Sequence, residues 1–344
     1  MGESLGRYYV LHTLTNDSKL QVAEILTSLR DTFKESLPNI TWLDESTRAK
    51  ATKKIDHLVQ TVGHPTAPDT LKPSSIQKFY EGLEFNQTNF LANILQSKKW
   101  HYIKKLAKLG ESQDISNWEP TLPHIVNAFH RAWFNEIVVP SGILQPPFYS
   151  PKLPEYLNYG SIGVVAGHEV THGFDSNGRF YDANGILNNW WTNASTQNFN
   201  IRAQCFVNQN SKVSVKGPDG AALKVNGFSS LGETIADNGG MRLAFATWKK
   251  RFDSDRQMHK YNNRLIPGLE NFTREQLFFI SFAQSWCSIE TPASLAHIVN
   301  AGRYLPNRWR VNGLFQNSAY FAEAFNCRSG SPMNPIDKCT LCSI

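Results

Sequence analysis

The chain has 344 residues, 41% of them hydrophobic and 12% aromatic, enough for a buried core and more than one domain, which excludes bulk disorder. Its formal net charge of +6 is spread along the sequence and is weak support for a nucleic-acid partner. No run of about 18 apolar residues occurs, so nothing reads as a membrane span, and Met1 to Arg7 lack the apolar core of a signal peptide.

Residues 18 to 37 carry Leu20, Ile25, Leu29 and Phe33 at helical spacing, which predicts an amphipathic helix capped by Asp17 or Ser18 and stopped by Pro38-Asn39. A second helix is predicted from Asp44 to Val62, burying Ile55, Leu58, Val59 and Val62, with Gly63 as its C-terminal cap. His64 to Ser75 is rich in Pro and Thr and reads as a linker. Helices are predicted over 76–83 and 88–109. The latter carries Lys98, Lys99, Lys104, Lys105 and Lys108, read as a solvated face whose opposite, apolar side meets the core.

Ile125 to Phe129 and Glu136 to Val139 read as two strands of a hairpin, the second ended by Pro140. Lys212–Lys216 and Ala222–Val225 flank Pro218-Asp219-Gly220 and form a second hairpin candidate. Helices around 231–252, 273–287 and 314–326 close the chain. No internal repeat or low-complexity tract is present.

Chemistry enters at Gly167-His168-Glu169-Val170-Thr171-His172, a His-Glu-x-x-His pattern. On a helix, His168 and His172 lie one turn apart on one face and can bind one zinc ion, with Glu169 beside a water ligand. Catalytic zinc takes three protein ligands, and no Gly-x-x-His follows, so the third comes from elsewhere. The best candidate is Glu233, in Leu231-Gly232-Glu233-Thr234-Ile235-Ala236-Asp237. Glu233 and Asp237 share a helix face. Asp237 can then accept the second N–H of a ligand histidine and fix its tautomer, and Asp175, three residues past His172, can do the same.

Five cysteines occur, at 205, 287, 327, 339 and 342; an odd number leaves one thiol unpaired within the chain. N-glycosylation sequons begin at Asn16, Asn39, Asn86, Asn193 and Asn271, relevant if the chain enters the secretory path.

The chain resembles the neprilysin-like zinc metallopeptidases, the family that includes the endothelin-converting enzymes. The resemblance runs through Trp42-Leu43-Asp44, Val126-Asn127-Ala128-Phe129, Pro140 to Phe148, the His168 motif and the Glu233 segment. It continues through Ser285-Trp286-Cys287, Arg310-Val311-Asn312-Gly313 and Phe325-Asn326-Cys327 to Cys339. It implies a mainly α (α+β) fold: a thermolysin-like zincin catalytic domain with small β elements, preceded by part of a helical lobe. Residues 1–80 would be the partial helical lobe, 81–92 a linker and 93–344 the catalytic domain. It implies one Zn2+ per chain on His168, His172 and Glu233. Glu169 would polarise the attacking water and shuttle its proton, with Asp237 in the catalytic set. Asn127 and Ala128 would bond the peptide backbone, Arg310 would grip a substrate carbonyl, and Val165 and Trp286 would lie near the pocket for the residue after the cut. Cys205 would pair with Cys339, while Cys287 and Cys327 would pair with cysteines outside this chain.

Three departures matter. The family's Asp-x-His pair, whose histidine stabilises the oxyanion, is Gly302 and Tyr304 here; a tyrosine hydroxyl can also donate to an oxyanion. Cys342 stands where a tryptophan usually ends the chain, and Thr340 where an arginine often holds a substrate carboxylate. By the resemblance, the sequence is expected to begin within the second, helical lobe, after the long N-terminal half that carries the family's usual membrane anchor. The expected function is a zinc-dependent endopeptidase acting on oligopeptides, with no nucleic-acid partner and an extracellular or plasma-membrane ectodomain setting. The alternatives are a weak or inactive zinc-retaining peptide-binding homologue, and a basic binding module whose His-Glu-x-x-His is accidental.

Overall fold

The structure, a computed structural model, describes residues 2–254 and 261–341. Its elements in chain order are α1 (Gly2–Thr13), α2 (Asn16–Ser36), α3 (Glu45–Asp56), β1 (Val59–Gly63), α4 (Pro73–Phe79), α5 (Phe90–Ala107), β2 (Phe129–Arg131) and β3 (Glu136–Pro140). Then come α6 (Glu155–Asn158), a π-helical turn (Tyr159–Gly163), α7 (Val164–His172), α8 (Asn193–Asn210), β4 (Ser214–Lys216), β5 (Ala222–Lys224) and α9 (Leu231–Ser254). The last are α10 (Arg274–Ser285), α11 (Pro292–Ala301), α12 (Asn307–Asn317) and α13 (Ala319–Ala324). The fold is mainly α with small β elements, as expected from the sequence.

The chain forms two compact units. The smaller gathers residues up to 14, 63–126 and 140–142; the larger holds 15–62, 127–139 and 143 onward. Residues 15–62 thus group with the larger unit, and residues 81–92 lie inside the smaller one, where α5 begins at Phe90.

In the smaller unit, α1, α4 and the loop around Trp118 bury Val10, Ile76 and Trp118. Tyr80 accepts the Glu3 amide through its hydroxyl. The expectation that α5 lays an apolar side on a core is overturned. Of its side chains only Trp100 is buried, while Phe90, Leu91, Leu95, Tyr102 and Ile103 are exposed, because no other described element packs over that face. Its lysines are partly used structurally: Lys104 lies over the Phe79 and Trp100 rings and Lys108 pairs with Glu119. Glu3 is buried, and burial first, then the Glu119 charge, push its carboxyl up from 4.5 to about 7. The folded state therefore keeps a proton that the unfolded chain releases between these values, so stability falls as pH rises across that window. Glu3→Gln is expected to remove this dependence and to stabilise the smaller unit above pH 7 by about 1–2 kcal/mol after allowance for solvent screening. Melting curves at pH 5 and pH 8 check it; a variant no more stable than the parent at pH 8 would refute it.

In the larger unit, α2 is capped two to three residues earlier than expected, by Thr15, whose hydroxyl accepts the Ser18 amide. Asp44 caps α3 by accepting the Thr47 amide, and also accepts the hydroxyls of Ser195 and Thr192 at the start of α8. These bonds hold its carboxyl well below the usual range. The predicted helix from Asp44 to Val62 ends at Asp56. Residues 59–63 are β1, whose β-branched Val and Thr residues suit a strand, and Gly63, at φ 98, leaves it. The sheet order is β1-β3-β2, with β2 antiparallel to β3 in the register Phe129↔Val138. β3 is buried throughout as the central strand, while residues 125–128, expected as strand, precede β2 without regular secondary structure. The β4–β5 hairpin forms as expected.

The expected terminal helix over 314–326 is two helices, α12 and α13, parted at Ser318, which has extended backbone and caps α13. An aromatic core of Phe245, Trp248, Phe278, Phe279, Phe315 and Phe321 joins α9, α10, α12 and α13. Cys205 on α8 is bonded to Cys339. Cys287 and Cys327 form no disulfide among the described residues, and Cys342 lies outside them.

Candidate metal centre

Helix α7 is buried along most of its length, and α9 packs against it at very close range. A Cβ on Gly240 would fall 2.4 Å from the His168 amide nitrogen, so the crossing requires glycine there. Glu233, Asp237 and Gly240 are spaced i, i+4 and i+7, one stripe of α9 facing α7. This close approach brings the Glu233 carboxylate to the two imidazoles.

His168 Nε2 lies 3.4 Å and His172 Nε2 3.6 Å from Glu233 Oε2. Three ligand atoms, one from each residue, lie within 4.8 Å of one another. In a tetrahedral site with ligand distances of about 2.1 Å, neighbouring ligand atoms sit about 3.4 Å apart. Glu233 Oε2 is buried and accepts no well-aligned hydrogen bond, an uncompensated carboxylate oxygen facing two imidazole nitrogens. Two imidazoles and one carboxylate are a donor set that suits zinc, so the residues fit the metal the sequence implies.

Each histidine is fixed through its other nitrogen. His168 Nδ1 is 2.9 Å from Asp237 Oδ1, and His172 Nδ1 is 2.6 Å from Asp175 Oδ2. Asp175 also accepts the amides of Asn177 and Gly178 at 2.7 Å each, which locks the carboxylate. Burial alone would push both histidines down, but these carboxylates and Glu233 prevail and raise them, His172 to about 10. Burial would raise Glu233, yet the two histidines hold it well below the usual carboxylate range.

Asp237 also receives Arg310 in a fork, Nε to Oδ2 at 2.8 Å and Nη2 to Oδ1 at 2.6 Å. Arg310 stacks on Trp286, its guanidinium carbon 3.9 Å from the ring centre, and lies 5.1 Å from the Tyr304 ring. Glu169 is buried between the histidines, and its charge is among those raising His172 and Arg303. Tyr304 is partly exposed beside the centre; burial, then the Glu233 charge, raise its hydroxyl. Asn127 is exposed and Ala128 buried, just before the edge strand β2; Val165 is partly buried on α7. Among the described residues, no hydrogen bond or ion pair joins these three to the triad.

Two cations were not anticipated. Lys54 of α3 is buried and donates to the carbonyls of Gly173, Gly178 and Tyr181 at 2.6, 2.9 and 2.7 Å, pinning the turn after His172. Its sequence signal is poor, one lysine in a lysine-rich helix. Arg303 donates from Nε to Glu233 Oε1 at 2.8 Å.

Two histidines one turn apart, a carboxylate from a second helix and carboxylates behind both imidazoles define a metallopeptidase-type centre on a mainly helical fold. The chain belongs to peptidase family M13, whose sequence profile matches residues 127–341 and whose N-terminal profile matches residues 1–65. It is 39% identical over 342 residues to human membrane metallo-endopeptidase-like 1, covering 98% of this chain and 42% of that protein. It is 37% identical to human neprilysin over 339 residues, covering 98% and 44%. Among solved structures it is similar to the Mycobacterium tuberculosis zinc metalloprotease Zmp1, with a TM-score of 0.84 at 28% identity, covering 95% of this chain and 47% of that one. PepO from Lactobacillus rhamnosis gives a TM-score of 0.81 at 30% identity, covering 96% and 48%. The chain thus spans under half the length of these relatives.

Proposed function

We propose that the chain is the catalytic part of a zinc-dependent endopeptidase that hydrolyses peptide bonds in oligopeptides. The observation that carries this reading is the buried, unpartnered Glu233 Oε2 facing both imidazole Nε2 atoms, with Glu169 on the same helix between them. His168, His172 and Glu233 would hold one zinc. Bound zinc supplies Lewis acidity, lowering the pKa of a water and polarising the scissile carbonyl. Glu169 would take the proton of the attacking water and deliver it to the leaving amine. Asp175 and Asp237 keep the imidazole Nδ1 atoms occupied and the rings aligned. The free edge of β2, with Asn127 and Ala128 before it, suits a substrate backbone added as a strand. Val165, Trp286 and Arg310 would shape the adjoining pocket.

The substrates, and a setting outside the cytosol, belong to the proposal. The Cys205–Cys339 bond fits an oxidising compartment, and all five sequon asparagines are exposed. No helix of the described residues is long and apolar enough to cross a membrane.

A zinc-retaining peptide-binding homologue is the second reading. It is favoured by Gly302, which occupies the left-handed region at φ 73 as the C-cap of α11 and offers no carboxylate. Zinc content measured alongside cleavage of a mixed oligopeptide library separates the two: zinc with cleavage establishes the peptidase, zinc without cleavage the binding protein. If Tyr304 replaces the missing oxyanion donor, Tyr304→Phe is expected to lower kcat about 100-fold with little change in KM. Unchanged kcat would remove Tyr304 from the mechanism.

A further inference from the structure

We infer that Arg303 is a positioning residue for the third metal ligand: its guanidinium holds one oxygen of Glu233 so that the other faces the two imidazoles. The inference rests on the metal reading above. Each ligand then has its own outer partner. His168 has Asp237 at 2.9 Å, His172 has Asp175 at 2.6 Å, and Glu233 has Arg303 at 2.8 Å.

The two Glu233 oxygens are differently placed. Oε1 accepts a charge-assisted bond from Arg303, while Oε2 is buried, unpartnered and 3.4 to 3.6 Å from the ligand nitrogens. A carboxylate turns readily about its last torsion, so in isolation either oxygen could face the histidines. Fixing Oε1 from outside selects one orientation and makes Glu233 a single-oxygen donor.

The backbone explains how Arg303 gets there. Gly302 ends α11 in the left-handed region, which only glycine adopts freely, and the next residue, Arg303, reaches Glu233. The Tyr304 ring then lies between two guanidiniums, with Arg303 5.3 Å and Arg310 5.1 Å from its centre. The glycine that stands in place of the acidic residue of the family's Asp-x-His pair thus immediately precedes the arginine that bonds Glu233.

The Arg303 side chain is 69% exposed and its partner 7%. The arginine lies mostly in water, and the buried Glu233 carboxylate is held chiefly by the two imidazoles, so the contact has small consequence for stability. Its consequence for the metal has two parts of opposite sign. Orientation favours binding, whereas the guanidinium charge repels a cation. Water around the exposed arm screens the charge but not the direction of the hydrogen bond, so orientation prevails.

The test is the zinc affinity of the folded chain, by competition with a chromophoric chelator, for the parent, Arg303→Met and Arg303→Lys, with the metal-free melting temperature of each. Arg303→Met is expected to weaken zinc binding about 10- to 100-fold. Arg303→Lys should recover most of it, because a single donor contact is also within the reach of an ammonium, and the metal-free melting temperatures should stay equal. Unchanged or tighter binding in Arg303→Met overturns the inference, as does a lowered metal-free melting temperature, which would make the residue structural. A folded parent that takes up no zinc overturns the metal reading, and this inference with it.

Discussion

Glu169→Gln is expected to reduce peptide hydrolysis by about 10³–10⁴-fold while leaving the bound zinc in place. Glutamine keeps the volume and the helix propensity of the parent residue and removes only its capacity to accept a proton. Glu169 is buried on α7 between the two histidines, yet outside the cluster of ligand atoms formed by His168, His172 and Glu233. Metal uptake should therefore survive, and the loss should fall on kcat, since proton transfer in the transition state is what the carboxylate supplies. Zinc per chain and kcat measured on one preparation decide it. If the variant loses zinc as well, Glu169 supports the metal; if it keeps most of its activity, another base does the work and the mechanism fails.

The parts of the site legible in the sequence are those encoded by spacing along a helix. His168 and His172 at i, i+4, and Glu233 and Asp237 at i, i+4, needed only the helical period to be placed on common faces. The i, i+3 relation between His172 and Asp175 was readable for the same reason. The Cys205–Cys339 bond came from family resemblance, and its 134-residue separation carries no local signal. What escaped was contact across the fold. Lys54 reaches carbonyls more than 115 residues further along the chain, and Arg303 reaches Glu233 over 70 residues. Nothing in a lysine-rich helix or an exposed Gly-Arg-Tyr turn marks either one.

Misread elements have similar causes. The segment Val59–Gly63 continues the apolar pattern of α3, and only its pairing in the sheet makes it a strand. Helix α8 is rich in Asn and Gln, poor helix formers or neutral ones, but Phe199, Ala203 and Phe206 at i, i+4 and i+7 carry its buried stripe and were a readable signal. The apolar side chains of α5 promised a core contact. Tertiary structure decides that, and among the described residues it leaves them exposed.

Arg310→Leu is expected to cost the larger unit about 3–5 kcal/mol, because it leaves Asp237 buried with its charge uncompensated. Both residues are buried, and the fork between them is bidentate. Burial would raise the Asp237 carboxyl, and it is chiefly Arg310, then His168, that hold it low. Removing the guanidinium withdraws the main source of that stabilisation. Trp286, stacked 3.9 Å from the guanidinium carbon, loses its packing partner as well. Arg310→Lys keeps the charge but loses the planar fork, so an intermediate loss is expected. Adding Asp237→Asn to Arg310→Leu removes the stranded charge and should return part of the stability. That recovery separates electrostatics from lost packing. Urea unfolding of the metal-free chain measures the parent and all three variants, so any change in zinc binding stays out of the comparison. A loss below about 1 kcal/mol for Arg310→Leu would match an exposed ion pair instead. Asp237 would then be held by His168 and solvent, and Arg310 would be left for substrate alone.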